Sequence, residues 1–422
     1  MDTIFALSSG APPAGIAVVR ISGPQAGPAL TALAGRLPTP RTVRLSDLRD
    51  ENGSLLDRGL VLWLPGPSTV TGEDIGELHL HGGRAVVAAV EAALVRTSGL
   101  RRAEPGEFTR RAFANGRIDL AEAEGLADLL EAETELQRAA ALTTAGGALS
   151  RQVEGWRVRV LSLSAQVEAA LDFAEQDDEI GLPRTFDDEM TALSEDIGRA
   201  LDTPSAEALR QGFRVALAGP PNVGKSSLFN VLLDNDAAIA TPFPGTTRDV
   251  LERSVAIAGV PFTFVDMAGL RDTTADPVEA LGIARAKTAI GEADLVLWLG
   301  PERDAPTSAW NIESRIDHPH HVSKQSPRHR VSAVRGDGVE ELVGDLVDHA
   351  RGRMPRPGQV ALNNRHRLLL DTAHAALLDK DPNLLIIAEK LRTCRTAVDK
   401  LTGRAATDDM LDALFGRFCL GK

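Results

Sequence analysis

The chain has 422 residues, a formal net charge of −13 and 43% apolar residues. That length fits about three domains with ordinary cores, and the acidic balance excludes a protein that coats duplex nucleic acid by charge alone. Tyrosine is absent and aromatic residues make up 4%, which argues against extended stacking platforms for single strands. A nucleic-acid substrate therefore has to meet a local basic patch, such as the stretch between Arg351 and Arg404, or a partner protein; the plain reading of that stretch is solvated helix faces. No apolar run approaches the roughly 18 residues of a membrane span. Met1-Asp2-Thr3-Ile4-Phe5 carries an early acid and no basic segment, unlike a signal peptide. Cys394 and Cys419 are too few for a disulfide framework. These features predict a cytoplasmic location without a membrane span.

In chain order, the first zone mixes short β-rich runs with Gly/Pro turns. Gly15–Ile21 and Leu60–Leu64 read as strands and Ala85–Val95 as a helix, giving an α+β domain over residues 1–117. From about residue 118 the pattern turns helical. Leu149, Val153, Trp156, Val160, Leu163, Val167 and Leu171 step by three and four, which predicts an amphipathic helix with an apolar seam. Ala361–Phe418 reads the same way. A domain over 210–352 is therefore inserted into a helical one made of 118–209 and 353–422. The predicted fold is multidomain, α+β and α/β.

The inserted domain opens on Gly219-Pro220-Pro221-Asn222-Val223-Gly224-Lys225-Ser226. Phe213–Ala218 before it reads as a strand, and Ser227–Leu233 after it as a helix. Strand, glycine loop and helix wrap backbone N–H groups around nucleotide phosphates. Lys225 then reaches the β- and γ-phosphates, and Ser226 holds Mg²⁺. The loop Thr241–Asp249 can place Thr247 on Mg²⁺ and an N–H on the γ-phosphate. Two strands follow, Ser254–Ala258 and Phe262–Val265, the second ending in Asp266-Met267-Ala268-Gly269. Asp266 is placed to hold Mg²⁺ through water, and Gly269 to offer its N–H to the γ-phosphate. Asp294–Leu299 reads as a buried parallel strand.

These parts resemble a TRAFAC-class GTPase, with Ser332-Ala333 similar to the loop that backs a guanine base. The wider pattern is similar to the MnmE (TrmE) family of tRNA modification GTPases. It rests on Asn222 in the P-loop, the Thr241–Asp249 loop, the inserted position of the domain, the terminal Cys419-Leu420-Gly421-Lys422, and N-terminal runs such as His81-Gly82-Gly83 and Pro105–Phe113. The resemblance implies that Asn222, Val223, Gly224, Lys225, Ser226, Ser227, Thr241, Thr246, Thr247, Asp266, Gly269, Lys324, Ser332 and Ala333 bind GTP. It implies a homodimer formed through the N-terminal domain, a 5-formyl-tetrahydrofolate-type cofactor at Arg20, Glu77, Arg117 and Lys422, the flavoprotein partner MnmG, and an aminomethyl-type group placed on C5 of the tRNA wobble uridine. On their own, these four residues also read as ordinary surface ion-pair residues.

Leu270 stands where related GTPases carry a water-orienting glutamine. The family's substitute corresponds to Glu279, whose carboxylate can hold a water or accept its proton; Asp276-Pro277-Val278-Glu279 also reads as a helix start. In place of an arginine finger the family uses K⁺, here matched to Asn222, Thr241, Phe243 and Thr246.

The sequence departs from the family at the N-K-x-D motif that reads guanine. Aligned on Lys324, the motif reads Ser323-Lys324-Gln325-Ser326, with no carboxylate. Loss of that contact predicts weakened guanine selectivity by several kcal/mol, in order of magnitude, unless a carboxylate elsewhere takes over. The Pro- and His-rich segment 300–330 is shorter than the family's, which predicts a missing or reduced helix. His318, His320 and His321 lack a fourth ligand and read as a loop. Cys419 reads as a buried structural thiol. The rival to a GTP-hydrolysing enzyme is a nucleotide-dependent scaffold or regulatory switch.

Overall fold

The computed structural model describes residues 2–173, 182–234, 238–239, 252–266, 291–321, 323–356, 358–378 and 381–421. They divide into two compact units, Met1–Ala127 with Asp399–Lys422, and Asp128–Val398.

The first unit is built on strands β1 (Thr3–Leu7), β2 (Ile16–Ser22), β3 (Val43–Arg49), β4 (Leu55–Leu64), β5 (Ile75–His81) and β6 (Leu100–Arg102). Their order is β3-β4-β5-β2-β1-β6, antiparallel except for β1 with β6. Helices α1 (Ala26–Ala34) and α2 (Arg84–Arg96) bury the face that carries Val19, Ile21, Val61, Trp63, Leu78 and Leu80. Period-two alternation sends the intervening residues to the other face. That face presents Ile16, Val43, Leu45 and Leu60 to solvent, with Arg20 opposite Glu77 in the β2–β5 register. Leu120 and Ala123, at the start of the helix Leu120–Glu131, and Leu414 and Phe415 of the helix Asp408–Phe415 form a small core, against which Phe113 of α3 (Glu107–Ala114) packs. The chain's end returns to β1. Gly421 has φ +92°, and a Cβ there would lie 2.2 Å from the Leu7 carbonyl oxygen, so only glycine fits that approach.

The second unit holds α4's last turn (α4, Leu120–Glu131), α5 (Glu135–Ala145), α6 (Ala148–Phe173), α7 (Phe186–Leu201) and α8 (Glu207–Gln211). The predicted seam of α6 is buried from Leu149 through Val153, Trp156, Val160 and Leu163 to Val167, while Leu171 is half-buried. A seven-stranded sheet follows: β7 (Phe213–Ala218), β8 (Ala238–Ile239), β9 (Glu252–Ile257), β10 (Val260–Asp266), β11 (Leu295–Trp298), β12 (Trp310–Ser314) and β13 (His329–Val331). The order β13-β12-β11-β7-β10-β9-β8 has five parallel strands from β13 to β10 and two antiparallel ones at the far edge. Helix α9 (Lys225–Leu233) follows β7, and the helix Val339–Arg351 buries Leu342, Leu346 and Val347 against the sheet.

Among the strands that escaped the sequence reading, β12 and β13 bear on the nucleotide site. They account for the short segment. A parallel connection usually needs a dozen or more residues and a helix, yet β11 reaches β12 through residues 299–309 with only a 3₁₀ turn at Glu302–Asp304. The connection from β12 to β13 carries turns and no helix among the described residues. The expected loss of a helix is thus met at this point.

Several arginines of the basic stretch are engaged within the fold. Arg351 donates to the Ala258 carbonyl, Arg353 to that of Asp294 and Arg367 to that of Leu201, while Arg392 pairs with Glu389. Among the described residues no helix is long and apolar enough to cross a membrane.

Candidate nucleotide-binding site

The glycine loop leaves β7 and enters α9 through three left-handed positions, Gly219 (φ +146°), Asn222 (φ +63°) and Gly224 (φ +96°). Such turns aim consecutive N–H groups inward, and at Gly224 a Cβ would lie 3.1 Å from the Arg315 side chain. Lys225 is buried; its Nζ donates to the Gly219 carbonyl at 3.0 Å and the Pro220 carbonyl at 2.8 Å. Parallel pairing of β10 with β7 sets Asp266 opposite Leu217. Its carboxylate thereby accepts a hydrogen bond from Ser226 Oγ at 2.9 Å. Ser227 stands exposed beside it, and Val223 is half-buried.

The other end of the site is built by β12 and β13. Ser314 ends β12 and donates from Oγ to the Val223 carbonyl at 2.6 Å. Arg315, at φ +58°, donates from Nη1 to the Asn222 carbonyl at 2.7 Å. Ser332 Oγ follows β13 and donates to Asp317 Oδ1 at 2.6 Å. This hydrogen bond holds the Asp317 carboxyl below its ordinary range. Ser332 is fully buried, its own oxygen accepting from the Arg335 amide at 3.1 Å. Ala333 adjoins it, half-buried.

This geometry offers a second alignment of the base-reading motif beside the one on Lys324. The residues that end β12 and meet the P-loop and Ser332 are Ser314-Arg315-Ile316-Asp317; Ser323–Ser326 fall in the following loop. Lys324 is buried there, donating from Nζ to the Trp298 carbonyl at 2.9 Å and Asn311 Oδ1 at 3.3 Å. The amides of Gln325 and Ser326 donate to the Glu302 carboxylate. The sequence signal for this position was faint: Trp310 and Ile312 alternate with polar residues, and Asp317 stands three residues after Ser314, the last of the strand. His321 pairs with the buried Glu313 at 3.3 Å.

In the first unit, Arg20 Nη2 and Glu77 Oε1 lie 3.0 Å apart, and Glu77 Oε2 lies 3.2 Å from His79 Nε2. His79 was not singled out by sequence. Arg117 is exposed, its side-chain carbons beside Gly72. Ser8 Oγ donates to the Gly421 carbonyl at 2.9 Å, and Ala6, the next residue but one along β1, pairs with Arg20. Cys394 is buried and its thiol is pushed up to about 12 by burial; Cys419 is exposed rather than buried. Thr241, Phe243, Thr246, Thr247, Gly269, Glu279 and Lys422 lie outside the described residues.

A glycine loop at the head of a parallel strand, a serine–aspartate oxygen pair beside it and a strand-end aspartate held by a buried serine define a P-loop domain of the GTPase type. The family description "GTP-binding protein TrmE N-terminus" matches residues 3–117 and "MnmE helical domain" matches residues 120–419. A protein of Erythrobacter litoralis named tRNA modification GTPase MnmE is 58% identical over 424 residues, covering 100% of both chains. One of the same name from Novosphingobium aromaticivorans is 57% identical over 438 residues with the same coverage. The crystal structure of the G domain of the T. maritima FeoB iron transporter covers 32% of this chain and 98% of its own, at 28% identity and a TM-score of 0.24. The chain belongs to the MnmE family of tRNA modification GTPases.

Proposed function

We propose that the chain hydrolyses GTP in the service of C5 modification of the tRNA wobble uridine, as a cytoplasmic homodimer acting with the flavoprotein MnmG and a folate one-carbon unit. The observation that carries this reading is a pair of contacts at the strand ends of one sheet: Ser226 with Asp266, and Ser332 with Asp317. The first suits Mg²⁺ and phosphates, the second a guanine edge. We retain the division into 1–117, 118–209 with 353–422, and 210–352; the limits of the two family matches support its first boundary.

Asp317, rather than Ser326, is the residue we assign to guanine. Its carboxylate accepts from the N1–H and N2–H of the base, a charge-assisted bidentate contact, while Ser332 fixes its orientation and Ala333 offers its N–H to O6. Lys225 exchanges the two loop carbonyls for phosphate oxygens. Ser226 and Thr247 supply hard oxygen ligands of the kind Mg²⁺ requires, and Asp266 holds the ion through water. Asn222 is exposed in the P-loop, and its side-chain oxygen is the one we assign to a cation, with Thr241, Phe243 and Thr246 completing the set. When bound, K⁺ neutralises charge that develops on the transferring phosphoryl group. Glu279 holds the attacking water.

For the folate, the Arg20–Glu77 pair offers a guanidinium and a carboxylate to the pterin edge, with Arg117 and Lys422 for the glutamate tail. The apolar face around it, Val43, Leu45 and Leu60, supports a second copy of this domain packing there. The scaffold alternative rested on the missing carboxylate, and Asp317 removes that ground.

Mass analysis of tRNA nucleosides from a deletion strain tests the function. Hypomodified wobble uridines, restored by the wild-type chain, are expected; unchanged uridines would refute it. Hydrolysis at equal rates in sodium and potassium, at matched ionic strength, would remove the K⁺ assignment.

A further inference from the structure

The two connections that flank β12 carry no helix among the described residues, and a cavity of about 720 Å³ lies where they meet the outer side of the P-loop. Its apolar wall is Pro220, Val223, Leu299 and Pro301. Neither Asp317 and Ser332 nor Lys225 and Ser226 line it, so it is distinct from the guanine and phosphate contacts above. It shares Asn222, Val223, Ser314 and Arg315 with the nucleotide site.

The charges around it are unbalanced. Lys324 lines the cavity with 9% of its surface exposed, and burial pushes its ammonium down to about 8. The ammonium has three donors but meets only two neutral acceptors, the Trp298 carbonyl and Asn311 Oδ1. Two nearby carboxylates are committed elsewhere. Glu302 accepts from the amides of Gln325 and Ser326. Glu313 takes the Lys324 amide, Ser323 Oγ, His321 Nε2 and Arg330 Nε. Arg315 spends one N–H on the Asn222 carbonyl, and Arg303 stands 88% exposed at the cavity, 3.6 Å from Asp304. The lining carries Arg303, Arg315 and Lys324 against the one carboxylate of Glu302; a buried cation only partly balanced by neighbouring carboxylates is costly, and an anion that enters beside it relieves that cost.

We propose that this cavity is a second binding site, for a small organic anion with a flat apolar body, and that its occupation alters nucleotide affinity through Asn222 and Arg315. The anionic group pairs with Lys324 and Arg303; the body packs on Pro220, Val223, Leu299 and Pro301. Because the two sites share residues, the coupling is reciprocal.

The probe is 1-anilinonaphthalene-8-sulfonate, titrated by fluorescence into the full chain with and without saturating GDP and Mg²⁺. Saturable binding at one site is expected in both states, weakened about tenfold or more by Lys324→Gln. Arg303→Glu, at an exposed position, is expected to weaken it at least about threefold and guards against misfolding of the first variant. The release rate of a fluorescent GDP analogue should change at least about threefold at saturating probe. Affinity unchanged in both variants, complete competition by GDP, or a release rate indifferent to the probe would overturn the proposal.

Discussion

The two ends of the nucleotide site are written into the chain in different ways. The phosphate end is local: eight consecutive residues, three left-handed backbone positions and a lysine whose ammonium caps the loop's own carbonyls. The base end is assembled from contacts between distant segments, Ser314 with Val223, Arg315 with Asn222 and Ser332 with Asp317. A backbone-built site constrains residue type at each step, because only glycine or an occasional asparagine accepts those angles. A site made by side chains tolerates substitution, as the serine and arginine ahead of Asp317 illustrate. Motif matching therefore succeeds at the first end and slips at the second.

Substitutions separate the two ends by size of effect. Lys225→Ala removes a buried cation that serves every phosphate-bearing ligand; GTP and ATP binding should both fall, by about 10² to 10³-fold or more in isothermal titration. Asp317→Ala removes only the base contact, so GTP should weaken by about 30- to 1,000-fold while ATP changes little. Ser332→Ala leaves the carboxylate in place but unheld, and GTP affinity should fall roughly fivefold. It also lets the Asp317 pKa rise toward its ordinary value, so the acid limit of GTP binding should move to higher pH in a binding–pH profile. Ser326→Ala should leave GTP affinity within about twofold; a larger loss would return the base-reading role to the Lys324 loop.

Much of the scaffold could be read ahead of the structure. The α6 seam, the strands β7 and β9 to β11 and the start of α9 follow from period and apolar runs, and the shortness of segment 300–330 foretold the absent helix. β12 did not show itself because Asn311, Glu313 and Ser314 break its apolar run. Glu313 is buried in that strand only because four donors from the next loop and β13 converge on it, a compensation visible in three dimensions alone. With β12 unseen, Lys324 was the natural anchor for a motif that usually contains lysine. In the first unit, the Arg20–Glu77 pairing was inferable only by resemblance, and His79 joined it through the β5 alternation that sends residues 77 and 79 to one face.

The most direct test of the account is the nucleotide preference of Asp317→Asn. An amide reverses one partner of the base edge, so GTP binding should fall by about 30-fold or more while xanthosine triphosphate gains affinity over its binding to the wild type. GTP bound as tightly as by the wild type, with no gain for the xanthine nucleotide, would contradict the assignment of Asp317 and the guanine site built upon it.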